Sequence, residues 1–152
     1  MYDYARFAEF IDIALRRTEE QEAKLRILAF AAQTLSTHSW DSIRDGALAL
    51  RYSALTCQQV GWHSLTCMEL YAASLAELRN FSEATRLQQD LLSAKAQSGT
   101  SEGSGNDAAE RLKAYTQGRP WRRPLTAREA KLLDNEKRGV IESLSGNPEE
   151  LL

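Results

Sequence analysis

MELYAASLAELRNFSEATRLQQDLL, residues 68–92, predicts two helices joined by a very short turn. On the first helix, about 63–78, apolar side chains recur at three- and four-residue spacing and form one continuous stripe. Asn80 is the predicted N-cap of the second helix, and Glu83, three residues later, is placed to reach back to it. A helix pair of this kind favours an all-α fold if the neighbouring segments are helical too.

The chain before this pair has the same helical character. The first 97 residues contain no proline and only two glycines, and the alternation typical of strands is nearly absent. Apolar spacing predicts helices over about 3–17, 20–35 and 42–59, the first two either separate or joined by a kink near Thr18. Ser39 or Asp41 is the expected N-cap of the third, and Ser42 and Asp45 are further candidates for the start of a helix. This half of the chain therefore predicts helices throughout.

The composition changes after the helix pair. Residues 97–106, QSGTSEGSGN, are rich in glycine and serine and lack apolar anchors, so we expect a flexible linker. A short helix is predicted over about 107–117, followed by the loop GRPWRRP. A last helix over about 126–144 is predicted to begin with a capping box formed by Thr126 and Glu129. The total is about six to seven helices and a frayed tail.

Composition limits the class of protein and of partner. The chain has 152 residues, close to one domain, and a net charge of −2, so any nucleic-acid site must be local. No apolar run is long enough to span a membrane. The first ten residues carry Asp3 and Glu9 and lack the layout of a signal peptide. Cys57 and Cys67 are expected to be buried free thiols, and the predicted location is the cytoplasm.

Residues 68–92 resemble a tetratricopeptide repeat, a helix–turn–helix unit. The large and small positions of the first helix match, as do Asn80 and Phe81 in the turn and Ala84 at the helix crossing, where a small residue permits close approach. Arg79 stands where the family has glycine, and Gln88 where an aromatic residue or leucine is usual. The family stacks such pairs into an α-α superhelix, so the resemblance implies a helical-repeat fold.

A bacterial subfamily, a divergent repeat pair at the C-terminal end of many multidomain proteins, is more similar still. Its landmarks occur in order over about 28–123: LAFAAQT at 28–34, RDG at 44–46, TCQQVGW at 56–62, YAASLAELRNFSEATRLQQ at 71–89 and RLKAYTQGRPWR at 111–122. Residues 1–20 and 124–152 lie outside the resemblance. We predict a repeat-like helical domain over 1–123, the linker included, with a C-terminal helix and tail over 124–152. The resemblance also implies that 111–122 is a capping helix with its exit turn, in which Tyr115 and Trp121 are buried.

Repeat proteins of this family hold partner peptides in a concave groove lined by the first helix of each pair. Helical phase then places eight candidate partner-binding residues in that groove: Arg26, Phe30, Gln33, Thr34, Thr66, Glu69, Ala73 and Glu77. The implied function is that of a non-enzymatic interaction or scaffolding module, whose partner is a protein or peptide.

The basic stretch 111–128 supports an alternative function. It contains no acidic residue and carries six cations among aromatic residues: Arg111, Lys113, Arg119, Arg122, Arg123 and Arg128. Such a stretch is typical of a small nucleic-acid-binding regulator. We favour the capping interpretation, because the chain is acidic overall and no nucleic-acid motif occurs in it. In the capping interpretation, Arg122 and Arg123 are exposed charges.

Metal binding and catalysis have little support in the sequence. His38 and His63 are interpreted as surface or loop histidines, since neither has a second ligand at helical spacing. No glycine-rich phosphate loop occurs. His63 and Cys67 lie one helical turn apart, which leaves a Cys–His nucleophile pair open. Cys67 is better interpreted as a packing residue, so we predict no cofactor, no metal and no catalytic residue.

Overall fold

The computed structural model describes residues 4–99 and 105–144, and these residues are all-α. They contain seven helices and no strand, which confirms the all-α part of the predicted fold class. The helices are α1 (Tyr4–Arg17), α2 (Gln21–Thr37), α3 (Gly46–Val60), α4 (Leu65–Glu77), α5 (Phe81–Ser98), α6 (Gly105–Thr116) and α7 (Ala127–Leu144). None of the described helices is both long and apolar enough to cross a membrane.

The chain forms two compact units, residues 1–122 with α1 to α6 and residues 123–152 with α7. In the second unit, α7 begins with the predicted capping box. The Thr126 amide donates to Glu129 Oε2 at 2.8 Å, and the Glu129 amide donates to Thr126 Oγ1 at 3.2 Å. A hydrogen bond from Arg123 holds the pKa of Glu129 at about 2. The predicted tail, 145–152, lies outside the described residues.

The turn between α4 and α5 is set by main-chain hydrogen bonds. The Asn80 amide donates to Leu75 O at 2.9 Å and the Arg79 amide to Ala76 O at 3.0 Å, which is a Schellman motif. Arg79 occupies its left-handed position with φ of 67°. The Asn80 side chain accepts from the Glu83 amide, as predicted. The reciprocal half of the capping box is absent from this turn, because the Asn80 amide already bonds to Leu75.

A core of small and aromatic side chains joins α4, α5 and α6. Its buried members are Ala72, Leu75, Ala76, Ala84, Ala114, Tyr115 and Trp121. Ala84 has no exposed surface, as expected at a close helix crossing. Tyr115 and Trp121 are 1% and 9% exposed, so their predicted burial is confirmed. Half-buried side chains, Phe81 among them, pack around this core.

The loop from α2 to α3 is longer than predicted and is held by polar contacts. α3 begins at Gly46, and its N-cap is Asp45, whose side chain accepts from the Leu48 amide at 2.9 Å. The prediction of Ser39 or Asp41 as N-cap was therefore wrong, and Asp45, the other candidate together with Ser42, is the N-cap. His38 lies in this loop, which agrees with the expectation of a surface or loop histidine, but it is buried: it is 6% exposed, and its Nδ1 accepts from the Trp40 amide at 3.0 Å. A buried imidazole at this point supports the loop from within.

Helix α6 docks on α5 through a buried side-chain amide. Gln88 is fully buried and its Nε2 donates to Ala108 O at 3.0 Å. Because α5 continues to Ser98 and α6 begins at Gly105, both helices extend into the segment predicted as a linker. Residues 100–104 lie outside the described residues. Gln88, which departs from the usual repeat pattern, thus provides the bond that fixes α6.

Helix α6 ends in a second Schellman motif. The Arg119 amide donates to Ala114 O at 2.9 Å, and the Gly118 amide donates to Tyr115 O at 3.0 Å. Gly118 has φ of 67°, a value that glycine adopts without steric cost. The chain then turns at Pro120 and places Trp121 back on the core.

Candidate functional site

A pocket of about 190 Å³ is lined by residues of α2, α4 and α6. Its lining residues are Gln33, Thr66, Glu69, Leu70, Ala73, Asp107 and Arg111. Four of these were predicted as groove residues from helical phase alone. The structure therefore brings half of the predicted groove set into one concave site.

The helices supply the pocket with a buried base and a polar rim. Leu70 and Ala73, on α4, are 6% and 3% exposed and provide the apolar part. Thr66 lies in the first turn of the same helix and is exposed, as are Gln33 on α2 and Asp107 on α6. These rim groups offer an amide, a hydroxyl and a carboxylate to a ligand. The pocket can therefore bind polar groups against a small apolar surface.

Arg111 is part of the pocket and of the core behind it. The residue is 4% exposed, and its Nε lies 3.0 Å from Glu69 Oε1. Its guanidinium carbon lies 4.2 Å from the centroid of the Trp121 ring, within the range of a cation–π contact. A buried cation of this kind requires a partner charge, and Glu69 supplies it. Arg111 thus links the pocket to the exit turn of α6.

Three lining residues were missed at the sequence level. Arg111 was assigned to the basic stretch. Its pairing with Glu69 joins two segments that are distant in the sequence, so the sequence alone does not indicate it. Asp107 and Leu70 were not singled out at all. Only the acidic position of Asp107 in the first turn of α6 was visible in the sequence, and by itself that position indicates helix stabilisation.

The remaining predicted groove residues do not line this pocket. Arg26 is exposed and lies 3.6 Å from Glu22 on its own helix. Phe30 is 56% exposed, and its ring centroid lies 6.2 Å from that of Phe7. Thr34 is half-buried. Glu77 lies at the end of α4, where its carboxylate contacts two arginines.

The basic stretch is not a continuous exposed strip. Arg111 is buried, and Arg122 Nη1 lies 2.6 Å from Glu77 Oε2. Arg119 hydrogen bonds to Gln117, and in the second unit Arg123 Nη2 lies 2.7 Å from Glu129 Oε1. The expectation that Arg122 and Arg123 are exposed charges was wrong, since their side chains are 30% and 29% exposed. Three cations of the stretch are exposed: Lys113, Arg119 and Arg128.

The remaining candidates from the sequence are a Cys–His nucleophile pair and a metal site. His63 is exposed, whereas Cys67 is 1% exposed, so they do not share a surface. Cys57 and Cys67 are both free thiols, and burial raises the pKa of Cys57, an effect that the neighbouring Cys67 strengthens. Over 4–99 and 105–144, no group of three His, Cys, Asp or Glu side chains is arranged to hold a metal ion.

Comparison with known proteins identifies no relative for this arrangement. No protein-family model, curated protein or solved structure matches the chain.

Proposed function

We propose that the protein is a non-enzymatic interaction module that binds a partner peptide or protein in the groove between α2, α4 and α6. The observation that carries this proposal is the pocket, in which Gln33, Thr66, Glu69 and Ala73 come together. The groups on its rim are those that recognise a peptide backbone or polar side chain. The site is small, so a single contact there gives modest affinity, and neighbouring exposed surface contributes the rest.

The same proposal includes a tetratricopeptide-like helical-repeat arrangement. It is supported by the α4–α5 pair, whose turn is three residues long, and by the close crossing at Ala84. Arg79 offers a second line of support. It stands where the family has glycine, and its φ of 67° is the conformation for which a glycine is used. The free thiols of Cys57 and Cys67 suit a reducing compartment, so we place this function in the cytoplasm.

A peptide-display selection tests the groove directly. A random peptide library is selected on the full chain, and the enriched peptides are measured against Thr66→Arg, which places a long cation in the pocket mouth. Gln89→Arg is the matched control, since Gln89 is exposed on α5 and its replacement by arginine makes the same change of charge. The proposal requires binding to be lost in Thr66→Arg and kept in Gln89→Arg, with both variants melting like the parent. Peptides that bind Thr66→Arg as well as they bind the parent would show that the pocket is not the site.

The nucleic-acid alternative has less support, because Arg111, Arg122 and Arg123 are paired with acids of the chain itself. A titration with random single-stranded DNA and RNA at low and moderate salt discriminates the two. Phosphate contacts give affinity that falls steeply with salt. Tight, salt-sensitive binding that Lys113→Glu and Arg128→Glu abolish would favour the alternative.

A further inference from the structure

The pocket between α2, α4 and α6 brings two carboxylates together with one guanidinium group. On α4, Thr66, Glu69 and Ala73 are three and four residues apart and so share one face of the helix. On α6, Asp107 and Arg111 are four residues apart and share a face in the same way. The contact of Arg111 Nε with Glu69 Oε1 at 3.0 Å joins the two faces, so both acids line one small volume.

The positive charge of Arg111 is directed to the inside of the protein. Its side chain is 5% exposed, and its guanidinium carbon lies 4.2 Å from the centroid of the Trp121 ring. Its ion pair with Glu69 balances its charge. Arg111 therefore presents little positive charge to a group that enters from the mouth of the pocket.

Glu69 keeps acceptor capacity in this ion pair. Arg111 Nε lies close to Oε1 but makes no aligned hydrogen bond with it. Among the residues that the structure describes, no hydrogen-bond donor reaches Glu69 Oε2, and the side chain is 21% exposed. Because a carboxylate has about four lone-pair sites, Glu69 can accept hydrogen bonds from a ligand while it neutralises Arg111.

Asp107 supplies a negative charge that no cation among the described residues balances. It is exposed and forms no ion pair within 4–99 and 105–144. The bond from Gln88 Nε2 to Ala108 O, 3.0 Å long, fixes the first turn of α6 and with it the position of Asp107. The positive end of a helix offsets only about half an elementary charge. The pocket therefore keeps an excess of negative charge.

The other lining groups suit an ammonium group on an apolar stem. Thr66 and Gln33 add a hydroxyl and an amide carbonyl as acceptors for the three donors of an ammonium group. Leu70 and Ala73 form a buried apolar base, on which methylene groups can pack. The volume of about 190 Å³ is below the roughly 300 Å³ at which drug-sized sites begin, so the pocket admits a single side chain.

We propose that this pocket binds a primary ammonium group, the lysine side chain of a partner peptide. The ammonium group lies between Asp107 and Glu69, and its methylene stem packs on Leu70 and Ala73. A carboxylate ligand is disfavoured, because it would meet the same two acids. The inference rests on the proposed function, since it names the side chain that a peptide in the groove presents.

Two short peptides, titrated into the full chain, test this chemistry. The first is Gly-Gly-Lys-Gly-Gly with both ends blocked, whose only charge is the lysine ammonium, and in the second the lysine is acetylated. Amide chemical shifts are followed by NMR at low ionic strength, where charges are least screened. Saturable shifts are expected at Thr66, Glu69 and Asp107, with a Kd on the order of 1 mM or tighter for the lysine peptide. Equal binding of the acetylated peptide, or shifts that never saturate, overturns the proposal.

A third peptide distinguishes a lysine side chain from an amino terminus. Pentaglycine amide with a free amino end carries the same ammonium chemistry without the methylene stem. It should bind more weakly than the lysine peptide, because nothing in it packs on Leu70 and Ala73. Equal or tighter binding of pentaglycine would show that the pocket recognises an amino terminus, and it would overturn the assignment to lysine.

Asp107→Asn is the decisive variant, because it removes the unbalanced charge and keeps the shape of the side chain. Affinity for the lysine peptide should fall about tenfold, the effect of losing one charge-assisted hydrogen bond. Glu110→Gln is the matched control: Glu110 is exposed on α6, lies outside the pocket lining and makes the same change of charge. Lysine-peptide binding that survives Asp107→Asn, or that weakens equally in Glu110→Gln, overturns the proposal.

The display selection separates the failure of this inference from the failure of the proposed function. Enriched peptides that lose binding in Thr66→Arg should contain a lysine whose acetylation weakens binding about tenfold or more. Peptides that depend on the groove but contain no such lysine overturn the ammonium site and leave the proposed function in place. A selection that enriches no groove-dependent peptide counts against the proposed function itself.

Discussion

Helices α4 and α6 end with the same main-chain motif but with different residues in its left-handed position. After α4 that position is Arg79, and after α6 it is Gly118, both with φ of 67°. An aromatic residue follows each end and packs on the same core, Phe81 in a half-buried position and Trp121 with 9% exposure. The α6 end therefore has a relaxed backbone and a deeply buried anchor, whereas the α4 end has a strained backbone and a shallower one.

This difference shows that the Schellman motif can form without glycine in its left-handed position. At the α4 end, the hydrogen bonds of Asn80 and Arg79, the N-cap of α5 and the packing of Phe81 outweigh the steric cost of an arginine. At the α6 end, no helix follows directly, so the position of the chain depends on Trp121 and on the cation above its ring, Arg111. Four sets of substitutions test this comparison.

The largest effect is expected for the two aromatic anchors. Trp121→Ala should destabilise the first unit by about 3–5 kcal/mol, the scale for truncating a buried large aromatic side chain. Phe81→Ala should cost less, about 2 kcal/mol, since that side chain is only half-buried. Urea unfolding of both variants measures the difference. Equal losses of stability, or an unfolding midpoint of Trp121→Ala like that of the parent, would contradict the larger contribution of Trp121.

Gly118→Ala tests the relaxed helix end. A Cβ at this position meets no atom within 4 Å, so its cost is purely conformational. We expect a loss of about 1–2 kcal/mol for an L-residue in the left-handed region. Thermal unfolding monitored by circular dichroism provides the measurement. A loss below the error of the experiment would mean that the α6 end shifts to another conformation.

Arg79→Gly is the reciprocal change, and it should stabilise. Glycine removes the steric cost of φ 67° but raises the entropy of the unfolded chain, so the net gain is about 0.5–1 kcal/mol. Arg79→Ala separates charge from conformation, because it removes the cation and keeps the Cβ. If the alanine variant gains as much as the glycine variant, like-charge repulsion rather than backbone strain is the cost at this end.

The effect that is smallest at neutral pH is a pH dependence at Tyr115, whose carbonyl accepts a hydrogen bond from the Gly118 amide. Burial raises the pKa of its phenol from 10 to about 12. Because the pKa of the Tyr115 phenol is higher in the folded than in the unfolded chain, the stabilisation that its burial gives is complete below pH 10. This stabilisation is lost as the pH rises through about 12. Ultraviolet titration of the phenolate should show a late step that disappears in Tyr115→Phe. A phenolate that forms near pH 10 would place this ring in solvent.

The helices and most of their ends could be predicted from the sequence, because these depend on local chemistry. The capping interactions of Asn80 and of Thr126 with Glu129 span three residues, and apolar spacing located every helix within a few positions. The burial of Tyr115 and Trp121 followed from the family resemblance, and the structure confirms it. The start of α3 was misplaced because several polar residues compete as N-caps between Ser39 and Asp45.

The candidate site was predicted only in part. Gln33, Thr66, Glu69 and Ala73 follow from helical phase, which shows the side of a helix that faces a groove. The role of Arg111 does not follow, since its charge partner lies on another helix and a cation in a basic stretch is normally solvated. The loop position of His38 could be predicted, but its burial could not, because only the folded loop encloses the side chain.

The two cysteines provide the chain with its own reporter of opening. Cys57 on α3 and Cys67 on α4 are 0% and 1% exposed, so a thiol reagent reaches them only when those helices separate. The rate of modification under native conditions therefore counts how often the helices part. This modification rate can be compared with the rate expected from complete unfolding. The comparison shows whether α3 and α4 open by themselves or only when the whole first unit unfolds. No probe has to be introduced for this measurement.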